Sequence, residues 1–182
     1  MTSGQEIPTK EELLTALRDS GEEAQAKLGA LPNERFEDGR YEGGWNGRQI
    51  LAHVASIEWT YPRLFDIAKE GEPPPKGAAA PELRQDVKPA ADGNPTRIAR
   101  GGILNYNERQ VAKRAEATVA ELLDELRRNR AATIAAVEAA DEEHLRTPIT
   151  SAGGISGALS QVLFGVAVYH VRGHIDDIVG SG

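Results

Sequence analysis

The sequence predicts an all-α protein, a four-helix bundle with one long crossover between its second and third helices. Three observations carry this: four stretches with apolar residues in steps of three and four, a Pro-rich segment of some thirty residues between the second and third, and no strand-like alternation of useful length. At 182 residues the chain is long enough to bury a real core and is most simply one domain, 1–182.

The first helix opens at Thr9, whose hydroxyl can cap the backbone while Glu12 reaches back, and Leu13, Leu17, Ala24 and Leu28 give its apolar stripe until Leu31-Pro32 ends it. The second has the clearest start. Asn46 is the expected N-cap with Gln49 at N3, and Trp45 and Ile50 stand where a buried hydrophobic staple needs them. Ile50, Val54, Ile57, Tyr61, Leu64 and Ala68 continue its face, with a kink or break expected at Pro62.

Residues 71–102 hold Pro73-Pro74-Pro75, Pro81, Pro89 and Pro95 and form no regular element; they are read as the crossover rather than a linker between two domains. The third stretch runs from about Asn105 to Ala139, with a second T-x-x-E at Thr118 and Glu121 that divides it into two helices. Its wet side carries Arg127, Arg128 and Arg130. The fourth helix follows Gly153-Gly154, takes Ser156 as N-cap and ends near Val179.

Composition narrows the function. A net charge of −7 argues against a general nucleic-acid binder, and no apolar run is long enough to cross a membrane. The N-terminus lacks a signal-peptide layout, so a cytoplasmic protein is expected. Without cysteine, any metal must be held by His, Asp or Glu.

The four histidines are placed unevenly. His170 and His174 lie four apart in one helix, so their rings leave the same face. Leu159, Leu163, Val166, His170, His174 and Asp177 read as one inward stripe, which directs the pair into the core. The pair alone leaves two readings open, a metal site or two separately hydrogen-bonded core histidines. His53, on the semi-buried side of the second helix with Ile50 and Ile57, adds a third imidazole. Three neutral nitrogens plus water form the open arrangement of a catalytic metal site, one that lowers the pKa of a bound water or thiol. Zinc, nickel and iron all accept imidazole nitrogen. His144, in a polar Asp141-Glu142-Glu143 run, is expected to be solvated and without a role.

The Trp45-x4-Ile50-Leu51-x-His53 block, the long third helix with Glu121-Leu122-Leu123, and the final His170-x3-His174 together resemble the DinB/YfiT-like superfamily of metal-dependent proteins. That superfamily includes the N-terminal domains of mycothiol-dependent maleylpyruvate isomerases. The resemblance covers about residues 9–179. It implies a four-helix bundle that binds nickel or zinc through one His of the second helix and a His-x3-His of the fourth, positions that match His53, His170 and His174.

Asp177, Glu58, Asn107 and Glu108 are the carboxylates and amide to examine around such a site, with a solvated surface position favoured for Glu58 and Glu108. The expected function is a metal-dependent enzyme that activates a low-molecular-weight thiol or a water against a small electrophilic substrate. The competing expectations are a stress-related protein that binds a small molecule or metal without chemistry, and a bundle whose three histidines are unrelated. Phe164, Val168, Val171, Ile175 and Ile178 form a second apolar face on the fourth helix, from which a homodimer is expected.

Overall fold

The structure, a computed structural model, describes residues 6–39, 44–70 and 102–180. Helices α1 (Lys10–Gly29), α3 (Gly47–Glu58) with α4 (Arg63–Glu70), and α5 (Gly102–Lys113) with α6 (Val119–Ala139) make three members of a four-helix bundle. The fourth member is one continuous rod of α8 (Leu159–Leu163), a π-helical turn (Phe164–Tyr169) and α9 (His170–Val179). Short helices α2 (Glu34–Glu37) and α7 (Glu142–Leu145) fill the connections. Helix α1 packs on α6 and α9, and α3 packs on the same two from the other side. The crossover predicted over 71–102 falls, apart from its last residue, outside the described residues.

The local start signals act as the sequence predicts. The Thr9 hydroxyl accepts the Glu12 amide and the Glu12 carboxylate accepts the Thr9 amide. Thr118 and Glu121 repeat the arrangement and separate α5 from α6. At α3 the Asn46 side chain accepts the Gln49 amide at 2.9 Å, and Gln49 returns the bond at 2.9 Å. Gly47 follows because a Cβ there would stand 3.1 Å from the Phe36 backbone, where α2 crosses the start of α3. The second member breaks just before Pro62 as expected: α3 stops at Glu58, and a turn leads into α4.

Two features differ from the expectation. Pro148–Thr150 (β1) and Ser156–Ala158 (β2) pair as an antiparallel hairpin, so Ser156 is a strand residue and not the cap of the fourth member. Three-residue strands are too short to show alternation in a sequence. The helix starts instead at Leu159, with the Gln161 side chain accepting the Ala158 amide at 3.1 Å.

The second difference is the π-turn. A plain α-helix lets residues spaced by four drift about 40° per step. The wider turn absorbs that drift, and the buried line runs Leu159, Leu163, Ala167, Val171 and Ile175 in unbroken steps of four. Val168, Val171, Ile175 and Ile178, read as an outer face, are therefore core residues, each at most 2% exposed. Of the face from which a homodimer is expected, these four residues are covered within the chain and Phe164 is half-buried. The stripe drawn through Val166, His170 and Asp177 lies at the edge, with His170 exposed and His174 half-buried.

The core has two apolar clusters. One joins Leu13, Leu17, Phe65, Val137, Leu159 and Leu163; the other joins Leu28, Phe36, Ile50, Leu122, Val171 and Ile178. A buried polar layer also crosses the bundle. Arg130 of α6, placed on the wet side by the sequence reading, is 5% exposed. Its Nε lies 2.8 Å from Glu58 Oε1, and it donates to the Leu17 carbonyl, the Ser20 hydroxyl and the Ala167 carbonyl. Its spacing, four after Leu126, three before Thr133 and seven before Val137, puts it on the buried stripe of α6, so the wet-side reading followed its charge and the adjacent Arg127 and Arg128 against the periodicity. Room for the guanidinium comes from Ser20 and Gly21 of α1, where a Cβ on Gly21 would meet the Arg130 side chain at 3.2 Å. Among the described residues no helix is long and apolar enough to cross a membrane.

Candidate metal centre

His53 comes from the middle of α3, and His170 and His174 from the first two turns of α9. One nitrogen from each ring lies within 4.8 Å of the others, a grouping that could hold a metal ion. The Nε2 atoms of His170 and His174 are 3.1 Å apart. Two nitrogens at about 2.1 Å from one ion stand roughly 3.0–3.4 Å from each other, so this pair already has the spacing of shared ligands. The His53 ring meets both others edge-on, with centroids 5.8 Å from His170 and 5.1 Å from His174.

The chemistry of the three rings also fits. Burial, and then the neighbouring rings of His174 and His170, push His53 down to about 3. Burial lowers His174, opposed by Asp177, and lowers His170, opposed by a bond to the Val166 backbone. All three are therefore neutral at ordinary pH, the state in which imidazole binds metal. His53 Nδ1 is buried with no hydrogen-bond partner among the described residues, a cost that a ligand at the cluster removes.

The surroundings orient the rings. His174 Nδ1 lies 3.3 Å from Asp177 Oδ2, so Asp177 stands where a carboxylate fixes a ligand histidine's tautomer. The Val166 backbone opposes the lowering of His170, and the Val166 carbonyl accepts the Tyr61 hydroxyl at 2.7 Å. Burial holds the Tyr61 hydroxyl well above its ordinary pKa, so it remains a donor. Trp45 is half-buried, with its ring centroid 5.0 Å from that of His53. It therefore walls the cluster as well as packing beside Ile50.

The other sequence candidates lie elsewhere. Glu58 is fully buried and turned to Arg130 instead of His53; burial raises its pKa, and Arg130 opposes that rise. Asn107 is half-buried and Glu108 exposed on α5, and among the described residues no hydrogen bond or ion pair joins either to the histidines. His144 is not simply solvated: its Nε2 bonds the Phe65 carbonyl at 3.1 Å and its ring stacks on Phe65. Tyr61 and Val166, which the sequence reading treated only as apolar stripe residues, are the neighbours it missed. Nothing in their spacing signals the role, because the π-turn that brings them together has no sequence signature here.

The family model of the DinB superfamily matches residues 16–178. The chain belongs to the DinB superfamily. Among solved structures this DinB-superfamily chain is similar to the mycothiol-dependent maleylpyruvate isomerase, with TM-score 0.65 and 19% identity over 98% of this chain and 63% of that one. It thus spans less than two thirds of the isomerase. It is also similar to YfiT from Bacillus subtilis, described as a probable metal-dependent hydrolase with an unusual four-helix bundle topology. That match has TM-score 0.58 and 14% identity over 98% of this chain and 88% of that one. No curated protein matches the chain. At these identities the structural likeness shows the fold, and it agrees with the observed bundle.

Proposed function

We propose that this DinB-superfamily chain holds one divalent ion, zinc or nickel in the first instance and iron as a further option, through His53, His170 and His174. The proposed role is a metal-dependent enzyme that activates a small thiol or a water against a small electrophilic substrate. The single observation that carries this is the convergence of three neutral imidazoles from two helices within 4.8 Å, with His170 at an exposed edge. Three protein ligands and an open side are what a catalytic site requires, whereas a structural site is closed by four. When bound, an ion with three neutral ligands keeps its full charge and lowers the pKa of a coordinated water or thiol towards neutrality.

The chain's own residues supply the rest. Asp177 lies 3.3 Å from the His174 ring on the side away from His170, and Trp45 keeps one side of His53 dry. The mycothiol dependence of one similar structure supports a thiol as co-substrate, and the description of YfiT supports water. One observation favours a second reading, a binding protein without chemistry. Asp177, the carboxylate beside the cluster, faces His174, so acid–base work has no separate side chain assigned to it.

The test is a screen of the metal-loaded, untagged protein with mycothiol, glutathione or water against small electrophiles and activated esters. Turnover that disappears in His170→Ala supports the enzyme. Stoichiometric metal without turnover across the screen moves the protein to the binding class.

A further inference from the structure

Two side chains from outside the fourth bundle member end on consecutive carbonyls of its π-turn. The Tyr61 hydroxyl, from the turn after α3, donates to the Val166 carbonyl at 2.7 Å, and Arg130 Nη2 of α6 donates to the Ala167 carbonyl at 2.6 Å. Each residue is 5% exposed. A π-turn disturbs the regular carbonyl ladder of a helix and persists where its surroundings hold it. The next residues, beginning with the His170 amide that bonds the Gly165 carbonyl, start the helix that carries both histidines.

The Val166 carbonyl takes the Tyr61 hydroxyl, and Val166 stands four residues, about one turn, before His170. A buried phenol is therefore tied to the backbone that leads directly into a candidate metal ligand. Arg130 has no freedom to swing away, because Glu58 and the Leu17 carbonyl hold its guanidinium.

We propose that Tyr61 and Arg130 are positioning residues for the histidine cluster: by holding the Val166 and Ala167 carbonyls they fix the π-turn, and through it the start of α9 that carries His170 and His174. This rests on the metal-binding reading above. Neither residue belongs to the ligand set, so a loss on replacing either is transmitted through the backbone.

The experiment measures Co(II) affinity and the visible absorption of bound Co(II) in the full chain, in Tyr61→Phe and in Ser20→Ala. Tyr61→Phe removes one hydroxyl and keeps the ring. Ser20→Ala removes one of the two acceptors of Arg130 Nη1 and leaves the Leu17 carbonyl, Glu58 and the Ala167 bond in place, and so controls for a merely structural effect. Outer partners of metal ligands typically contribute 10–100-fold in affinity, so Tyr61→Phe is expected to bind Co(II) about tenfold more weakly, with a changed spectrum. Ser20→Ala is expected to match the parent. Parental affinity and spectrum in Tyr61→Phe would overturn the proposal, as would an equal loss in Ser20→Ala.

If Tyr61→Phe loses its helical circular dichroism, Arg130→Lys replaces it with the same readings and the same two outcomes. If the parent binds no Co(II), the metal reading fails by itself, and positioning is then read in the metal-free protein by amide exchange. Exchange at His170–His174 about tenfold faster in Tyr61→Phe than in Ser20→Ala supports it, and equal exchange refutes it.

Discussion

The Nε2 atoms of His170 and His174 stand 3.1 Å apart while Nδ1 of His174 faces Asp177 at 3.3 Å, so the two ends of one ring are already divided between a shared point and a carboxylate. With His53 across from them, the rings are buried and crowded: burial disfavours the charged form of all three, and neighbouring rings add to this for His53 and His170.

That crowding sets a pH dependence. All three histidines are lowered on folding, so between the ordinary value near 6.5 and the folded values the unfolded chain binds more protons than the folded one. Their contribution to stability is whole above about pH 6.5 and is lost as pH falls towards the folded values. Melting of the metal-free protein from pH 7.5 to 4.5 is expected to show a falling Tm. His53→Leu, which removes the most strongly lowered group, is expected to flatten that slope. An unchanged slope in the variant would show that His53 titrates as it does in water.

The Arg130–Glu58 pair gives a second expectation. Removing one partner of a buried ion pair leaves an uncompensated charge and costs about 3–5 kcal/mol. Glu58→Gln is therefore expected to lower stability by that amount in urea unfolding, far more than Glu108→Gln on the surface of α5. A loss below about 1 kcal/mol would mean that Arg130 finds solvent.

Trp45 gives a third. Truncating a fully buried aromatic costs about 3–5 kcal/mol, and half-burial scales that down to roughly 1–2 kcal/mol for Trp45→Ala. Because its ring lies against His53, the same variant is expected to weaken metal retention, measured by competition with a chelator. Unchanged retention would confine Trp45 to capping α3.

How far the sequence reveals this molecule depends on the range of each signal. Caps at Thr9, Asn46 and Thr118 are written within four residues, and each forms as read. The three histidines are legible because scarce residue types at helical spacing imply a shared face. The fourth member's faces are not, since the π-turn at Phe164–Tyr169 depends on tertiary partners that no local pattern contains. Arg130 is misplaced for another reason: its spacing from Leu126, Thr133 and Val137 puts it on the buried stripe, but a guanidinium is buried only beside partners, and Leu17, Ser20 and Glu58 lie on other helices. The small residues Ser20 and Gly21 that make room for it are readable only once α1 and α6 are known to face each other.

The central claim is one divalent ion held by His53, His170 and His174, and metal content of untagged protein by mass spectrometry tests it most directly. About one zinc or nickel per chain is expected after saturation and desalting, falling close to zero in His53→Ala, His170→Ala and His174→Ala with the fold retained. A parent that carries no metal, or variants that keep a full complement, would contradict it.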